Sequence, residues 1–422
     1  MTAQAAAATA EHGATRPRLH PSVLLGPGLT DGTSVTHHLK DPRTGWFFKV
    51  GVREFFVISR LDGVRSLDDI AEEYAARFGR RLSEQHWQQI MQLLGGRRLL
   101  AGPEDADALR RLTASARAGS RGRRNLLHWR IPLAAPARLF SRVEPAVRWL
   151  WSAWFVLPAA AAVLAMLTLM SVQGARLYDD ARQLADSVPV LLAFVAIYWL
   201  TLAVHEAAHG LTCIHFGGTS PEIGLLWRFP LLAPYCKADD VMLFARRRHR
   251  CYTAFAGVFA QLLTLTPAAL LWPLLPAGPA RTLCAALVLY GSGSTLLNLI
   301  PFLQLDGYFM LNHALNMVNL RAGAYRFWAR VLDRLRGRAA TGEYPRPAGW
   351  AYGAYGVASF VFATGLVVGL FAVWFGQLRG PLGAAAAASV LGGVALFGVV
   401  MAVVLSRRAR RRTAPAVSAV VP

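Results

Sequence analysis

His205-Glu206-Ala207-Ala208-His209 sets two imidazoles four residues apart with a carboxylate beside the first. On a helix that spacing puts both rings on one face, where they can grip a single zinc ion while Glu206 addresses the water it activates. Far along the chain, Asn298-Leu299-Ile300-Pro301-Phe302-Leu303-Gln304-Leu305-Asp306-Gly307 offers a second carboxylate, Asp306. Zinc hydrolases keep three protein ligands and leave the fourth position for water or substrate. The expected metal ligands are therefore His205, His209 and Asp306, with Zn2+ as cofactor and Glu206 as the catalytic base of an amide hydrolysis.

Two rivals for the third ligand are weaker. His215 follows His205 at the spacing of soluble proteases that read H-E-x-x-H-x-x-G-x-x-H, but Thr212 stands where those need a glycine to turn the chain. If the helix runs on, His215 points to a different face from His209. Glu222 follows Gly217, Gly218 and Pro221 and is expected in a loop. The segment from Val188 to Cys213 is apolar up to His205, and Glu206 is its only formal charge. A carboxylate inside a membrane helix costs about 2.5–3.5 kcal/mol on the insertion scale, so Glu206 is expected to serve chemistry.

The elements that must position these residues are membrane spans. Apolar runs near 147–171, 188–213, 252–275, 282–302, 350–376 and 382–406 each approach the roughly 20 residues that cross a bilayer. The expected fold is mainly α, a polytopic α-helical membrane protein of about six transmembrane helices with the lipid bilayer as a partner. The net charge of +21 is unevenly spread. Arg228, Lys237, Arg246, Arg247, Arg248 and Arg250 fill one connection, Arg321 to Arg346 another, and Arg407 to Arg412 the tail. The alternate connections hold only Arg176, Arg182, Arg281 and Arg379. That asymmetry puts the N- and C-termini in the cytoplasm of a multi-pass protein of the cytoplasmic (inner) membrane, with the site opening to the cytoplasm. No nucleic-acid partner is expected, because no recognition motif accompanies the charge. Cys213, Cys236, Cys251 and Cys284 show no C-x-x-C spacing, and disulfides are not expected on the reducing side. Met1 to Thr15 lacks the basic start and apolar core of a secretory signal.

Residues 35–102 read as a small α+β domain. His38-Leu39-Lys40 and Trp46 to Val50 flank the turn Asp41-Pro42-Arg43-Thr44-Gly45. Ser66 and Asp69 open a capped helix that Gly79 closes, and Ser83 caps a second helix ended by Gly95-Gly96. A shorter helix is expected over 53–61, and a hairpin with three helices is a winged-helix arrangement. Residues 1–34 are expected to be disordered, 103–145 a basic linker or surface helix, 146–406 the transmembrane metalloprotease domain, and 407–422 a basic cytoplasmic tail.

The HEAAHG string followed downstream by N-x-x-P-x-x-x-x-D-G resembles the site-2 protease family of intramembrane zinc metalloproteases. The resemblance covers roughly 190–310 and extends to Ala254 to Gln261, where Ala256-Gly257-Val258 replaces the Ala-Gly-Pro of many relatives. It implies Glu206 as general base, His205, His209 and Asp306 on zinc, and Asn298 as a substrate-binding residue. Gly45-Trp46-Phe47-Phe48, Leu61-Asp62-Gly63 and Ser66 to Ala71 resemble PqqD-like domains that bind leader sequences of ribosomally made, modified peptides. The pair resembles the intramembrane metalloproteases of daptide biosynthesis and implies a precursor (leader) peptide as substrate. The alternatives are regulated proteolysis of a membrane-anchored regulator and a non-catalytic peptide-binding export partner. Relatives of the first kind often carry an inserted PDZ domain, for which no connection here has room, and an intact Glu206 has no use in the second.

Overall fold

Val23, Leu39, Val57, Ile58, Ile70, Tyr74, Trp87, Leu94 and Leu99 are buried together near the N-terminus, and a sheet and three helices form around them. The computed structural model describes residues 16–102, 105–120, 128–134, 137–218, 222–228, 231–338 and 344–395. In it, β1 (Leu24–Leu25), β2 (Leu29–Asp31), β3 (Ser34–Asp41) and β4 (Trp46–Gly51) form an antiparallel sheet with β3 at its centre. β4 covers one side of β3, while β1 and β2 share the other. α1 (Val52–Ile58), α2 (Leu67–Phe78) and α3 (Glu84–Gly96) follow. The capping box opens α2: the Asp69 N–H donates to Ser66 Oγ (3.1 Å) and the Ser66 N–H to the Asp69 carboxylate (2.8 Å). Gly79, left-handed at φ 72°, ends it.

The expected disorder over 1–34 does not extend through this sheet. Residues 1–15 lie outside the described residues, but Val23 and Leu29 are buried and β1 and β2 are paired, because their apolar side chains complete the core. The stretch 103–145 is likewise more than a linker. It contains α4 (Ala106–Ser120), β5 (His128–Ala134) and α5 (Ala137–Val147). β5 pairs with β6 (Glu222–Arg228), which pairs with β7 (Leu231–Lys237), all antiparallel. Glu222 thus starts a strand rather than sitting in a loop, since the backbone after Pro221 finds partners on both sides.

The rest is helical. α6 (Ala153–Val172), α7 (Gly174–Ala181), α8 (Val188–His215), α9 (Arg247–Leu271), α10 (Pro279–Ala286), α11 (Ser292–Leu297), α12 (Asp306–Ala314), α13 (Leu320–Leu335) and α14 (Arg346–Leu382) follow in order. Among the described residues, four helices are long and apolar enough to cross a membrane: Ala153–Val172, Val188–His215, Arg247–Leu274 and Arg346–Leu382. The apolar run near 282–302 is helical without interruption from Pro279 to Leu297, with a π-helical stretch, Leu287–Gly291, between α10 and α11. The run near 382–406 includes a shorter apolar helix, α15 (Ala384–Ala395); its remainder and the tail 407–422 lie outside the described residues. The chain divides into two compact units, residues 1–352 and 353–422.

Within the first unit, Met166, Leu177, Ala181, Val258, Leu265, Trp272, Ala285 and Val288 form the buried centre. Lipid is as apolar as these side chains, so close packing and polar bonds must do much of the joining in a membrane. Asp180 is one such point, accepting from the Trp272 indole (2.8 Å) and from Arg281 (2.7 Å).

Candidate metal centre

α8 presents His205 and His209 on one face, and α9 crosses against that face at Gly257. A Cβ at Gly257 would strike both imidazole rings, so only glycine lets the two helices approach this closely. The two Nε2 atoms lie 3.1 Å apart. Asp306 Oδ2 is 2.9 Å from His205 Nε2, and Asp306 Oδ1 is 3.4 Å from His209 Nε2. Among the described residues these three are the group of His, Cys, Asp and Glu able to hold a metal ion, their ligand atoms all within 4.8 Å of one another.

The opposite ring nitrogens reveal where the protons sit. Thr201 Oγ1 donates to the Tyr198 carbonyl (2.8 Å) and so accepts from the Gln261 amide nitrogen (3.3 Å). That fixes Gln261 with its oxygen toward His205 Nδ1, 3.0 Å away, which must donate. His209 Nδ1 likewise donates to the Thr253 carbonyl (2.7 Å). With both rings neutral, the two Nε2 atoms turn lone pairs toward each other and toward Asp306, whose buried Oδ2 has no hydrogen-bond partner among the described residues. Lone pairs and a carboxylate this close repel unless a cation sits among them. Two neutral imidazoles oriented from behind and one carboxylate are a donor set that fits zinc.

Asp306 is placed by its loop. The Gly307 N–H donates to the Asn298 carbonyl (2.7 Å), closing the segment between α11 and α12. A Cβ at Gly307 would run into the Leu299 backbone, which explains the Asp-Gly pair. Asp306 then opens α12, where a carboxylate also suits the helix dipole. Asn298 is half-buried at the end of α11, and its backbone carbonyl makes the bond that positions Asp306.

Glu206 accepts the backbone N–H of Cys236 on β7 (2.5 Å). Burial and then the neighbouring Glu206 charge push the Cys236 thiol up from its ordinary range. The rivals are occupied elsewhere. His215 Nδ1 donates to Glu144 (2.8 Å) and its ring stacks on Trp151, centroids 4.4 Å apart. Hydrogen bonds from Arg148 and then His215 outweigh burial and hold the Glu144 carboxyl below its usual range. Glu222 accepts from the Tyr235 hydroxyl (2.7 Å).

Sequence reasoning placed Gly257 and Gln261 in a resembling segment without giving either a role, and it missed the Thr253 carbonyl. Gln261, fully buried in an apolar helix, carried the same signal of cost as Glu206, but an uncharged amide raises less suspicion. No family model, no curated protein and no solved structure matches the chain.

Proposed function

We propose that this protein is an intramembrane zinc metalloprotease of the site-2 protease kind, which cleaves a precursor peptide in the maturation of a ribosomally made, modified peptide. The observation that carries the reading is the convergence of His205 Nε2, His209 Nε2 and Asp306 beside Glu206, on a helix apolar enough to span a membrane. Zinc bound there would act as a Lewis acid on the scissile carbonyl and make water a nucleophile at neutral pH. Glu206 is placed to take a proton from the attacking water and to return it to the departing amine. The Cys236 N–H keeps the Glu206 carboxylate oriented between turnovers. A helical substrate hides its amides, so it must be unwound before attack. β7 pairs only with β6 among the described residues and offers backbone groups beside Glu206 to an extended segment.

The arginine-rich connections set both termini in the cytoplasm of the inner membrane, with the site at the cytoplasmic end of α8. The N-terminal sheet and helices form a winged-helix, PqqD-like domain that receives the leader. β4 pairs with β3 alone among the described residues, leaving an edge for strand addition, and Arg97 lies over Trp46 at its start. Asn298 contributes to holding the substrate.

The test uses full-length protein in detergent with a synthetic peptide copied from any short precursor gene found beside its own. Glu206→Gln should keep zinc and lose cleavage by at least about a thousandfold, within the range of general-base removal and more. Asp306→Ala should lose zinc and cleavage together. Cleavage at wild-type rate by Glu206→Gln would refute the reading.

A further inference from the structure

A continuous set of bonds runs from the N-terminal sheet to the helices of the metal centre, and the proteolytic reading makes no use of it. Residues 316–318, which follow α12, lie as a parallel rung on β2. The Thr30 N–H donates to the Asn316 carbonyl (3.0 Å), and the Val318 N–H donates to the Thr30 carbonyl (2.9 Å). The Asn316 side chain bridges in two directions. Its amide nitrogen donates to the Gly28 carbonyl (2.8 Å), and its oxygen accepts from Arg250 Nη2 (2.5 Å).

Arg250 is 0% exposed in the first turn of α9. Its Nε and Nη1 have no hydrogen-bond partner among the described residues, so Asn316 supplies the acceptor that this buried cation has. Taking that acceptor away would leave the guanidinium still less compensated, which is costly inside a protein. Arg250 stands one turn before Thr253, whose carbonyl orients His209. On the other side, the Met317 N–H donates to the Asn312 carbonyl (2.8 Å), and Asn312 Oδ1 accepts from the Leu320 N–H (3.1 Å). These bonds close the end of α12, whose first residue is Asp306. The rung is also tied back to the opposite edge of the sheet. Asp31 of β2 accepts from Lys49 of β4 (2.5 Å) and from Arg326 of α13 (3.0 Å). Lys40 of β3 makes a buried ion pair with Asp240.

We propose that Asn316 is a positioning residue that couples the N-terminal domain to the metal centre, so that order on β2 and order at Asp306 and His209 rise and fall together. The proposal rests on the metalloprotease reading and adds its regulation: a peptide added to β4 tightens the sheet, and the β2 rung passes that tightening to both metal-bearing helices. Coupling of this kind is reciprocal, so zinc at the site must in turn order the rung. A domain that only tethered its substrate would raise local concentration without touching zinc affinity.

The test uses full-length protein and zinc alone as the probe. Asn316→Gly tolerates the left-handed backbone at φ 57° while removing both side-chain bonds. Asn316→Asp keeps an acceptor for Arg250. By hydrogen exchange on metal-free protein, the glycine variant should exchange faster than wild type over 306–318 as well as 28–32. In a chelator competition its zinc affinity should fall about 10-fold or more, the usual effect of losing support behind a ligand. Zinc should slow exchange at 28–32 in wild type and not in the glycine variant, and the aspartate variant should stay within about threefold of wild-type affinity. If the glycine variant does not fold, the zinc effect on exchange at 28–32 in wild type still decides. A wild-type protein whose 28–32 exchange ignores zinc, or a folded glycine variant with unchanged zinc affinity, overturns the coupling. Failure of the wild-type protein to bind zinc at all would instead remove the metalloprotease reading, and the coupling with it.

Discussion

The candidate metal centre and the N-terminal domain are held together by opposite means. In the N-terminal domain an apolar core does most of the work, and several of its ion pairs, such as Arg60–Glu73 and Arg65–Asp62, sit in partly exposed positions. Exposed pairs of that kind contribute about 0–1 kcal/mol each. At the metal centre the surroundings are apolar and the polar groups decide the geometry: Tyr198, Thr201, Gln261 and His205 form one chain of bonds, and Thr253 and His209 another. Water drives the first region together. In the second, lipid gives no such drive, and each buried polar group must find its partner inside the protein. Mutations should therefore act on stability in one region and on ligand geometry in the other.

The largest expected effect breaks that contrast most directly. Ile70→Ala, at a fully buried position of α2, should cost the N-terminal domain about 2–5 kcal/mol, read by denaturant unfolding followed at its tryptophans. Acid should act next, through His313 on α12. Burial, reinforced by the Arg250 charge, pushes this ring down from 6.5 to about 4. Between those values an unfolded chain takes up a proton that the folded chain refuses, so stability falls as pH drops from 6.5 toward about 4. The loss should approach roughly 3 kcal/mol, and His313→Gln should flatten it in unfolding curves taken at neutral pH and at the acid limit.

Gly257→Ala should do the reverse of Ile70→Ala. The added methyl meets His205 and His209, and the overpacking cost of about 1–3 kcal/mol should appear as zinc affinity about 10- to 100-fold weaker, with a much smaller effect on N-terminal unfolding than that of Ile70→Ala. Gln261→Leu should weaken zinc binding about 10- to 100-fold by freeing the His205 tautomer, while Gln261→Glu, which keeps an acceptor, should retain most of it. The smallest effect is Ser66→Ala, which removes one half of the capping box and should cost about 1 kcal/mol in the N-terminal domain without moving zinc affinity. Equal zinc losses from Ser66→Ala and Gln261→Leu would erase the distinction between the two regions.

The sequence by itself determined what short-range physics controls. The four-residue spacing of His205 and His209, the Ser66 cap, the hairpin around Asp41 to Gly45 and the long apolar helices depend on neighbours within a turn or a strand, and they are present where local patterns put them. Tertiary structure alone decided what depends on contacts distant in sequence. The choice of Asp306 over His215 was legible in the sequence, but the means of placing it was not: the Asn298–Gly307 bond aims Asp306 inward, while Glu144 and Trp151 engage His215. The segment 16–34 is ordered because β3 and the helix core receive it, although its own composition reads as a tail. β5 becomes a strand only because β6, far along the chain, pairs with it. A strand's backbone groups and a buried amide have no preferred partner until the chain closes on itself, and local pattern cannot carry that information.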